Sequence, residues 1–137
     1  MATLVDTNVL IDLFEIGGEW EDWSTARLAH ARSSGPIIIN PIVYAEMAAG
    51  FLREADLDAA LPASKFARED LPWEAAFLAG HAFAAYRRTG GDKRSPLPDF
   101  YIGAHAMVAR HSLITRDTAR YRTYFPSLDI IAPDTHP

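Results

Sequence analysis

The first twelve residues place an acid at the end of a short apolar strand, and this feature constrains the fold more than any other. Thr3, Leu4 and Val5 favour a β-strand, and Asp6 follows them directly. The chain then turns into an apolar run with helical spacing over residues 8–14. In an open parallel α/β sheet, ligands and metals bind outside the carboxyl ends of the strands. The pattern therefore predicts Asp6 at the ligand-binding edge of such a sheet.

A stretch near the other end of the chain repeats this arrangement. Residues 113–115 form a short apolar strand that ends in Thr115, and Asp117 follows two positions later. If the two strands are neighbours in the sheet, the carboxylates of Asp6 and Asp117 face each other across one pocket.

Strand-like and helix-like segments alternate between these two stretches, which predicts an α/β sandwich with a largely parallel sheet. The third strand is placed only within residues 65–71, where its signal is weakest. The other predicted strands are 3–5, 37–39, 113–115 and 128–131, and the main predicted helices are 8–14, 19–32, 41–49, 73–88 and 98–110.

Length and composition predict one domain over residues 1–137. A chain of this length with 49% hydrophobic residues can bury a proper core. The sequence shows neither a secretion signal nor an apolar run that could span a bilayer, which predicts a cytoplasmic protein without a membrane partner. Cysteine is absent, so thiolate catalysis and disulfides are excluded.

The charge is unevenly distributed. The net charge of -5 argues against nucleic-acid binding by surface charge alone. However, residues 1–75 carry 5 basic and 13 acidic groups, whereas residues 76–137 carry 8 basic and 5 acidic groups. Lys93 and Arg94 precede Asp99, and Arg116 lies beside Asp117. A solvated charged face is the alternative interpretation of these basic residues.

Two further acids lie in early turns of predicted helices. Glu46 follows Val43 and Ile42 by three and four positions, which predicts a location near the buried side of its helix. Asp99 follows Pro98 at a helix start, where the helix dipole favours a carboxylate. An exposed helical Glu and a simple helix cap would explain the same two residues without a site.

The four acids together favour a cation. Carboxylates within about 4 Å of one another repel by roughly 4 kcal/mol per pair at an effective dielectric near 20. Oxygen ligands suit Mg²⁺ or Mn²⁺, the ions of phosphoryl-transfer chemistry. His105 and His111 are expected to be too far apart in helical phase to make a metal pair. With 18 acids in the chain, the residues alone leave other sets of four open.

Four stretches resemble the motif regions of the PIN domain, and more narrowly those of VapC toxins from type II toxin–antitoxin systems. Each motif alone is of low specificity, but the ordered set is fairly specific and spans nearly the whole chain. The stretches are Val5-Asp6-Thr7-Asn8-Val9-Leu10-Ile11-Asp12, the isolated Glu46, Leu97-Pro98-Asp99 and Leu113-Ile114-Thr115-Arg116-Asp117.

The resemblance implies a sheet of strand order 3-2-1-4-5 between helical layers. It implies a Mg²⁺-dependent endoribonuclease that cleaves tRNA or rRNA, forms a homodimer and is inhibited by a VapB-type antitoxin. The expected reaction is attack on a phosphodiester by a metal-activated water, which leaves 5′-phosphate and 3′-hydroxyl ends.

The resemblance also assigns roles to residues. Asp6, Glu46, Asp99 and Asp117 match the family's catalytic acids. Asp6 and Asp99 would be the firmest metal ligands, and Asp117 would bind directly or through water. Glu46 would orient a metal-bound water or accept its proton. Asp12 is expected to be a surface acid. Supporting hydrogen bonds are expected from Asn8 and Thr115, and RNA contacts from Arg116, Lys93 and Arg94.

Other functions fit parts of the pattern. A PIN nuclease of RNA processing would share all four acids. A non-catalytic PIN module that binds proteins would be expected to lose at least one of them. An aspartyl-phosphate enzyme would usually need a second Asp where Asn8 stands. A dinucleotide-binding enzyme needs a glycine-rich turn after the first strand, and the turn Asp6-Thr7-Asn8 has no glycine.

Overall fold

A computed structural model describes residues 1–93 and 97–137 and shows a five-stranded sheet in which all neighbouring strands run parallel. The spatial order is β3-β2-β1-β4-β5, which confirms the predicted strand order. The strands are β1 (Thr3–Val5), β2 (Ile37–Ile39), β3 (Ala67–Arg68), β4 (Ser112–Ile114) and β5 (Ile130–Ile131).

Helices connect the strands and cover the sheet, which confirms the predicted three-layer α/β/α class. The second helix begins and ends two residues later than the prediction of 19–32, and the last strand covers only the second half of 128–131. Within residues 1–93 and 97–137 the helices are α1 (Thr7–Phe14), α2 (Glu21–Ser34), α3 (Pro41–Ala48), α4 (Glu54–Ala60), α5 (Trp73–Arg88), α6 (Pro98–Ala109) and α7 (Ala119–Tyr124).

The three central strands β1, β2 and β4 are buried along their whole length. Helices on both sides of a parallel sheet exclude water from both faces, so these strands need no alternation of apolar and polar residues. Each fully buried Leu, Ile or Val side chain contributes about 1.5–3 kcal/mol relative to exposure. The core therefore holds the carboxyl ends of these strands in fixed positions.

Two helix starts depend on polar side chains at strand ends. Asp6 caps α1, and its Oδ1 accepts a hydrogen bond from the backbone N of Thr7 at 2.7 Å. Asn40 caps α3, and its Oδ1 accepts from the backbone N of Val43 at 2.9 Å. Pro41 occupies the first turn of α3, as the sequence predicted.

The short helix α7 packs closely on α6 because Gly103 has no side chain. A Cβ at Gly103 would lie 2.6 Å from the ring of Phe125 and 3.0 Å from the ring of Tyr121. Both rings are buried. This close approach brings the hydroxyl of Tyr121 to the carboxyl end of β1.

No helix among the described residues combines the length and the apolar character needed to cross a bilayer.

Candidate active site

The strand register places Asp6 beside Thr115. Leu4 pairs with Leu113 and Val5 with Ile114 in the parallel ladder of β1 and β4. The backbone N of Asp6 then donates to the carbonyl of Ile114 at 2.9 Å. The first acid therefore lies at the carboxyl edge of the sheet, next to the loop that carries Asp117.

Asp6 is a buried carboxylate with four hydrogen-bond donors, and its exposed fraction is only 5%. Oδ2 accepts from the hydroxyls of Thr115 at 2.8 Å and Tyr121 at 2.9 Å, and from Nδ2 of Asn8 at 3.3 Å. The fourth donor is the backbone N of Thr7. These bonds favour the ionised form, because each donor approaches an oxygen that carries negative charge.

The pKa of Asp6 is nevertheless raised to about 6. Burial is the main cause, and the negative charge of Asp99 raises the pKa further, while the hydrogen bonds from Thr115, Tyr121 and Thr7 lower it. The structure thus holds Asp6 where its charge is unfavourable unless a cation is near.

Asp99 lies in the first turn of α6, and its Oδ2 accepts from Nη1 of Arg120 at 3.1 Å. Burial raises the pKa of Asp99, Arg120 lowers it, and the charge of Asp117 raises it. The net shift is upward. The negative charge of Asp117 therefore still affects Asp99 in spite of the ion pair between Asp99 and Arg120.

Glu46 and Asp117 complete the acidic group from its solvent side, since both are exposed. The exposure of Glu46 corrects the prediction that it lies near the buried side of its helix. Met47 and Val43 fill the buried positions of α3 instead, and Glu46 Oε1 accepts from the hydroxyl of Thr7 at 2.7 Å.

The hydroxyl of Tyr121 lies close enough to these acids for their negative charges to affect its pKa. Burial raises its pKa well above the usual value, and the charges of Asp6, Asp99 and Glu46 add to that rise. Three carboxylates, from the end of β1, α6 and α3, therefore act on one oxygen atom. Tyr121 stays neutral and donates a hydrogen bond to Oδ2 of Asp6.

The donor set suits a hard divalent cation, because the available ligand atoms are carboxylate and hydroxyl oxygens. In residues 1–93 and 97–137, no three of the four acids have ligand atoms that all lie within 4.8 Å of one another. Electrostatic repulsion between the acids favours such a spread. A cation with a partial water shell needs only a few direct carboxylate ligands.

Comparison with protein families decides the family. The model of the PIN domain matches residues 3–126. The chain belongs to the PIN domain family. No curated protein matches it significantly in sequence.

Solved structures share the fold of this PIN domain over nearly its whole length. VapBC2 from Rickettsia felis, bound to a DNA fragment from its promoter, has a TM-score of 0.74 and 18% identity, covering 96% of this chain and 98% of that chain. A toxin–antitoxin complex from Klebsiella pneumoniae has a TM-score of 0.62 and 29% identity, with 96% and 97% covered. VapC20 from Mycobacterium tuberculosis, described as a Sarcin-Ricin loop cleaving toxin, has a TM-score of 0.58 and 18% identity, with 88% and 94% covered.

The structure of this PIN domain corrects the prediction for Asp12. Its carboxylate is buried, with an exposed fraction of 2%. Arg116 donates to it from Nε at 2.7 Å and from Nη2 at 3.0 Å, and the hydroxyl of Ser24 donates at 2.5 Å. Asp12 is therefore an internal ion-pair partner. Neighbouring residues in the sequence could not predict this ion pair, since Arg116 follows Asp12 by 104 positions.

The basic residues predicted to contact RNA lie in different surroundings. Arg116 is paired with Asp12 and packs over the ring of Trp20 at 5.3 Å. Lys93 is exposed, and Arg94 falls outside the described residues. The RNA contacts of all three stay predictions.

One residue that contacts the acids, Tyr121, was not predicted from the sequence. It lies on α7, and the sequence predicts only a short Tyr-rich helix or turn over residues 118–125. Its position four residues after Asp117 places it one helical turn from an acid, and that spacing is the local signal that could have revealed it. Arg120, on the same helix, was noted only as a basic residue near Asp117.

A second titratable cluster corrects the prediction that His105 and His111 are far apart. Both rings contact Oε1 of Glu69 through Nε2, at 2.7 Å and 2.8 Å. Arg110 has a left-handed backbone with φ of 58° and ends α6, so the chain folds back and returns His111 to the side of His105. Helical phase does not extend past that residue.

Among the described residues, Glu69, His105 and His111 are the one trio with ligand atoms all within 4.8 Å. The hydrogen bonds argue against a metal there. Asn40 uses its Oδ1 on Val43, so it presents Nδ2 to Nδ1 of His105 at 3.0 Å. Nδ1 must then accept, which leaves the proton on Nε2, directed at Glu69. A metal would need a lone pair on that nitrogen.

Proposed function

We propose that this PIN domain is a metal-dependent endoribonuclease and the toxin component of a type II toxin–antitoxin system. The observation that carries the proposal is the convergence of Asp6, Glu46, Asp99 and Asp117 at one sheet edge, where burial and mutual repulsion raise the pKa of Asp6 and Asp99. Such an arrangement is unfavourable unless a cation binds it.

The proposed ligands are Asp6, Asp99 and Asp117. When bound there, Mg²⁺ or Mn²⁺ would neutralise the acids, lower the pKa of a water and stabilise negative charge on a phosphodiester. Asn8, Thr115 and Tyr121 hold Asp6 in one orientation through its Oδ2. An acid fixed in this way needs little rearrangement to bind a cation.

Glu46 is the proposed base. It is exposed and ionisable, and its Oε1 is held by Thr7 at the mouth of the site. In this role it orients the attacking water and accepts its proton. Attack of the water oxygen forms a new bond to phosphorus and breaks the bond to the 3′ oxygen, which takes a proton from solvent. The products are a 5′-phosphate and a 3′-hydroxyl, and no 2′-hydroxyl is required.

Arg120 lies beside one of the proposed metal ligands, Asp99. It pairs with Asp99, and its guanidinium also packs over the rings of Tyr86 and Phe100 at 5.8 Å each. Together with Lys93 and Arg94, it would attract an RNA backbone to a pocket whose own charge is negative. The RNA class we propose is structured tRNA or rRNA.

An antitoxin of the VapB type is the proposed protein partner, because the solved structures of this fold include VapBC and other toxin–antitoxin complexes. A groove of about 490 Å³ beside Glu46 is lined largely by apolar residues of α1, α3 and the segment that follows α3, among them Ile11, Phe14 and Phe51. Ile11 and Phe14 are 42% and 45% exposed. An apolar segment laid there would reach the acids and block them. We also propose that the protein is a homodimer and a single domain.

The test compares the cleavage of total cellular RNA by wild type, Asp6→Asn and Asp99→Asn, each with Mg²⁺, Mn²⁺ or EDTA, followed by sequencing of the new ends. Asp134→Asn is the matched control, because Asp134 is an exposed acid paired with Arg122 away from the site. Circular dichroism establishes that each variant is folded.

The proposal predicts discrete cuts with 5′-phosphates that need the metal and both carboxylates and that Asp134→Asn retains. If antitoxin-free wild type cuts no RNA with either metal, the nuclease proposal is wrong and a protein-binding PIN module becomes the alternative to pursue. Metal-dependent cuts without growth arrest on expression would instead favour a nuclease of RNA processing.

A further inference from the structure

The ion pair between Arg116 and Asp12 connects two parts of the chain that carry site acids. Asp12 lies on α1, six positions after Asp6. Arg116 lies in the loop after β4, between Thr115 and Asp117. The two guanidinium N–H donors reach both oxygens of Asp12. A bidentate pair of this kind fixes direction as well as distance.

The backbone of Arg116 forms a second connection between the same two parts. Its N–H donates to Oδ1 of Asn8 at 3.1 Å. The amide of Asn8 donates in turn to Oδ2 of Asp6 and to the hydroxyl of Thr115, both at 3.3 Å. The backbone N of Asp117 donates to the same Thr115 hydroxyl at 3.1 Å. These hydrogen bonds connect Arg116 and Asp117 to Asp6 through the side chains of Asn8 and Thr115.

We infer that Arg116 is a positioning residue, which uses its ion pair with the buried Asp12 to hold residues 115–117 against α1 and so fixes Asp117 relative to Asp6. Its importance for metal binding rests on the proposed function. This role differs from the RNA contact predicted from the sequence, because the guanidinium of Arg116 acts on the Asp12 carboxylate of the same chain.

The surroundings of Asp12 support this role. Its carboxylate accepts three donors, two from Arg116 and one from Ser24. The guanidinium of Arg116 packs over the ring of Trp20, and the carboxylate of Asp12 is buried. A carboxylate this buried is unfavourable without its partner. Rotation of the loop would break both hydrogen bonds, and the ion pair therefore restricts the loop.

Two variants weaken the connection without leaving a buried charge unpaired. Arg116→Lys keeps the charge but cannot form the bidentate pair. The double variant Asp12→Asn with Arg116→Gln removes both charges together. Arg122→Lys is the matched control, because Arg122 forms a bidentate pair with Asp134 at exposed positions and contacts none of the four acids.

The first measurement is hydrogen exchange of the Asp117 amide in protein without added metal, followed by NMR. This amide is protected by its bond to Thr115. We expect exchange to become about tenfold faster in Arg116→Lys and in the double variant, because local opening becomes easier. Arg122→Lys should exchange as wild type does. Thermal unfolding of each variant shows whether global stability accounts for the change.

The second measurement is Mn²⁺ affinity by calorimetric titration. Loss of residues that orient metal ligands typically weakens binding by about 10- to 100-fold. We expect Mn²⁺ affinity to fall at least about tenfold in Arg116→Lys and in the double variant, and to stay unchanged in Arg122→Lys. The salt dependence of RNA binding should be unchanged in Arg116→Lys, which retains the charge.

The outcomes separate this inference from the proposed function. Unchanged exchange at Asp117 in the folded variants would overturn the positioning role, whatever the metal does. Faster exchange with no Mn²⁺ binding even in wild type would support the positioning role and contradict the metal-dependent nuclease. If exchange and Mn²⁺ affinity stay unchanged while RNA affinity falls in the double variant, Arg116 is an RNA contact instead.

Discussion

The two titratable clusters of this PIN domain differ in how their charges are balanced. At the carboxyl edge of the sheet, burial and the charge of Asp99 raise the pKa of Asp6 to about 6, and burial and the charge of Asp117 raise the pKa of Asp99. In the other cluster, burial would raise the pKa of Glu69, but hydrogen bonds from His105 and His111 hold it below its usual value. Burial also lowers the pKa of His105 and keeps it neutral.

We propose that this difference separates a binding site from a structural network. In the Glu69 cluster every donor faces an acceptor within the protein, so a ligand would have to break bonds to enter. The acids face one another, and among residues 1–93 and 97–137 the one cation that forms an ion pair with any of the four is Arg120, which contacts Asp99. Unbalanced charge of this kind is typical of functional sites. The geometry of potential ligand atoms alone selects the Glu69 cluster, whereas the unbalanced charge favours the acids.

The largest expected effect is on RNA cleavage. Asp99→Asn should lower the cleavage rate by at least about 100-fold, because loss of a metal ligand removes several kcal/mol of transition-state stabilisation. Glu69→Gln should stay within about twofold of wild type, since Gln keeps an oxygen that accepts from both histidines. Initial rates on one purified RNA check both values. Equal losses in the two variants would remove the distinction between the clusters.

The next effect is the pH dependence of stability. The pKa of Asp6 is higher in the folded protein than the usual value of 3.8, so the folded state binds more protons between pH 4 and pH 6. The metal-free protein should therefore lose roughly 2–3 kcal/mol of unfolding free energy through Asp6 as the pH rises from 4 to 7.5.

Urea unfolding of wild type and Asp6→Asn at both pH values isolates this contribution, because the variant has no titrating group at that position. The difference in unfolding free energy between the two proteins should move in favour of Asp6→Asn at high pH. A difference that is constant with pH would show that Asp6 has an ordinary pKa.

Glu69→Ala tests the structural cluster directly. It removes the acceptor of the Nε2 protons of His105 and His111, and the buried His105 then lacks a partner. We expect a loss of about 1–3 kcal/mol in unfolding free energy with Mn²⁺ affinity unchanged. Glu74→Ala, an exposed acid on α5, is the control for loss of a carboxylate. Weaker Mn²⁺ binding in Glu69→Ala alone would place the metal at the histidines.

The smallest expected effect belongs to Tyr121→Phe. The ring still packs against Gly103, but Asp6 loses a donor that lowers its pKa. Mn²⁺ affinity at pH 6 should fall about fivefold, since one hydrogen bond to a charged group contributes roughly 1 kcal/mol or more. The loss should shrink at pH 8, where Asp6 is ionised in both proteins. The same loss at both pH values would contradict an effect through the pKa of Asp6.

Most of the fold could be predicted because short stretches of sequence indicate where strands lie and where helices begin. Ile37–Ile39 is an apolar triplet typical of a doubly covered strand, and Asn40 with Pro41 predicts a helix start. The third strand was placed only within 65–71, since Ala67–Arg68 has two residues and neither is buried. Asp6 could be predicted as a site acid because it follows a strand directly.

The remaining features depend on contacts that the sequence does not express locally. Asp12 was expected at the surface from its position one and a half turns along its helix, and Arg116 contacts it only in the folded protein. His111 was judged by helical phase, which ends at the left-handed Arg110. Glu46 faces solvent because Met47, one position later, takes the buried place.

Mn²⁺-induced broadening of backbone amide signals in the wild-type protein at pH 7.5 distinguishes the two clusters as metal sites. Bound Mn²⁺ broadens the signals of nearby nuclei and so reveals where it binds. We expect substoichiometric Mn²⁺ to broaden Thr7, Phe100 and Asp117 first and to leave Glu69 and His111 sharp. Broadening that begins at Glu69 and His111 would contradict this expectation, because the metal would then bind the cluster whose hydrogen bonds are already complete.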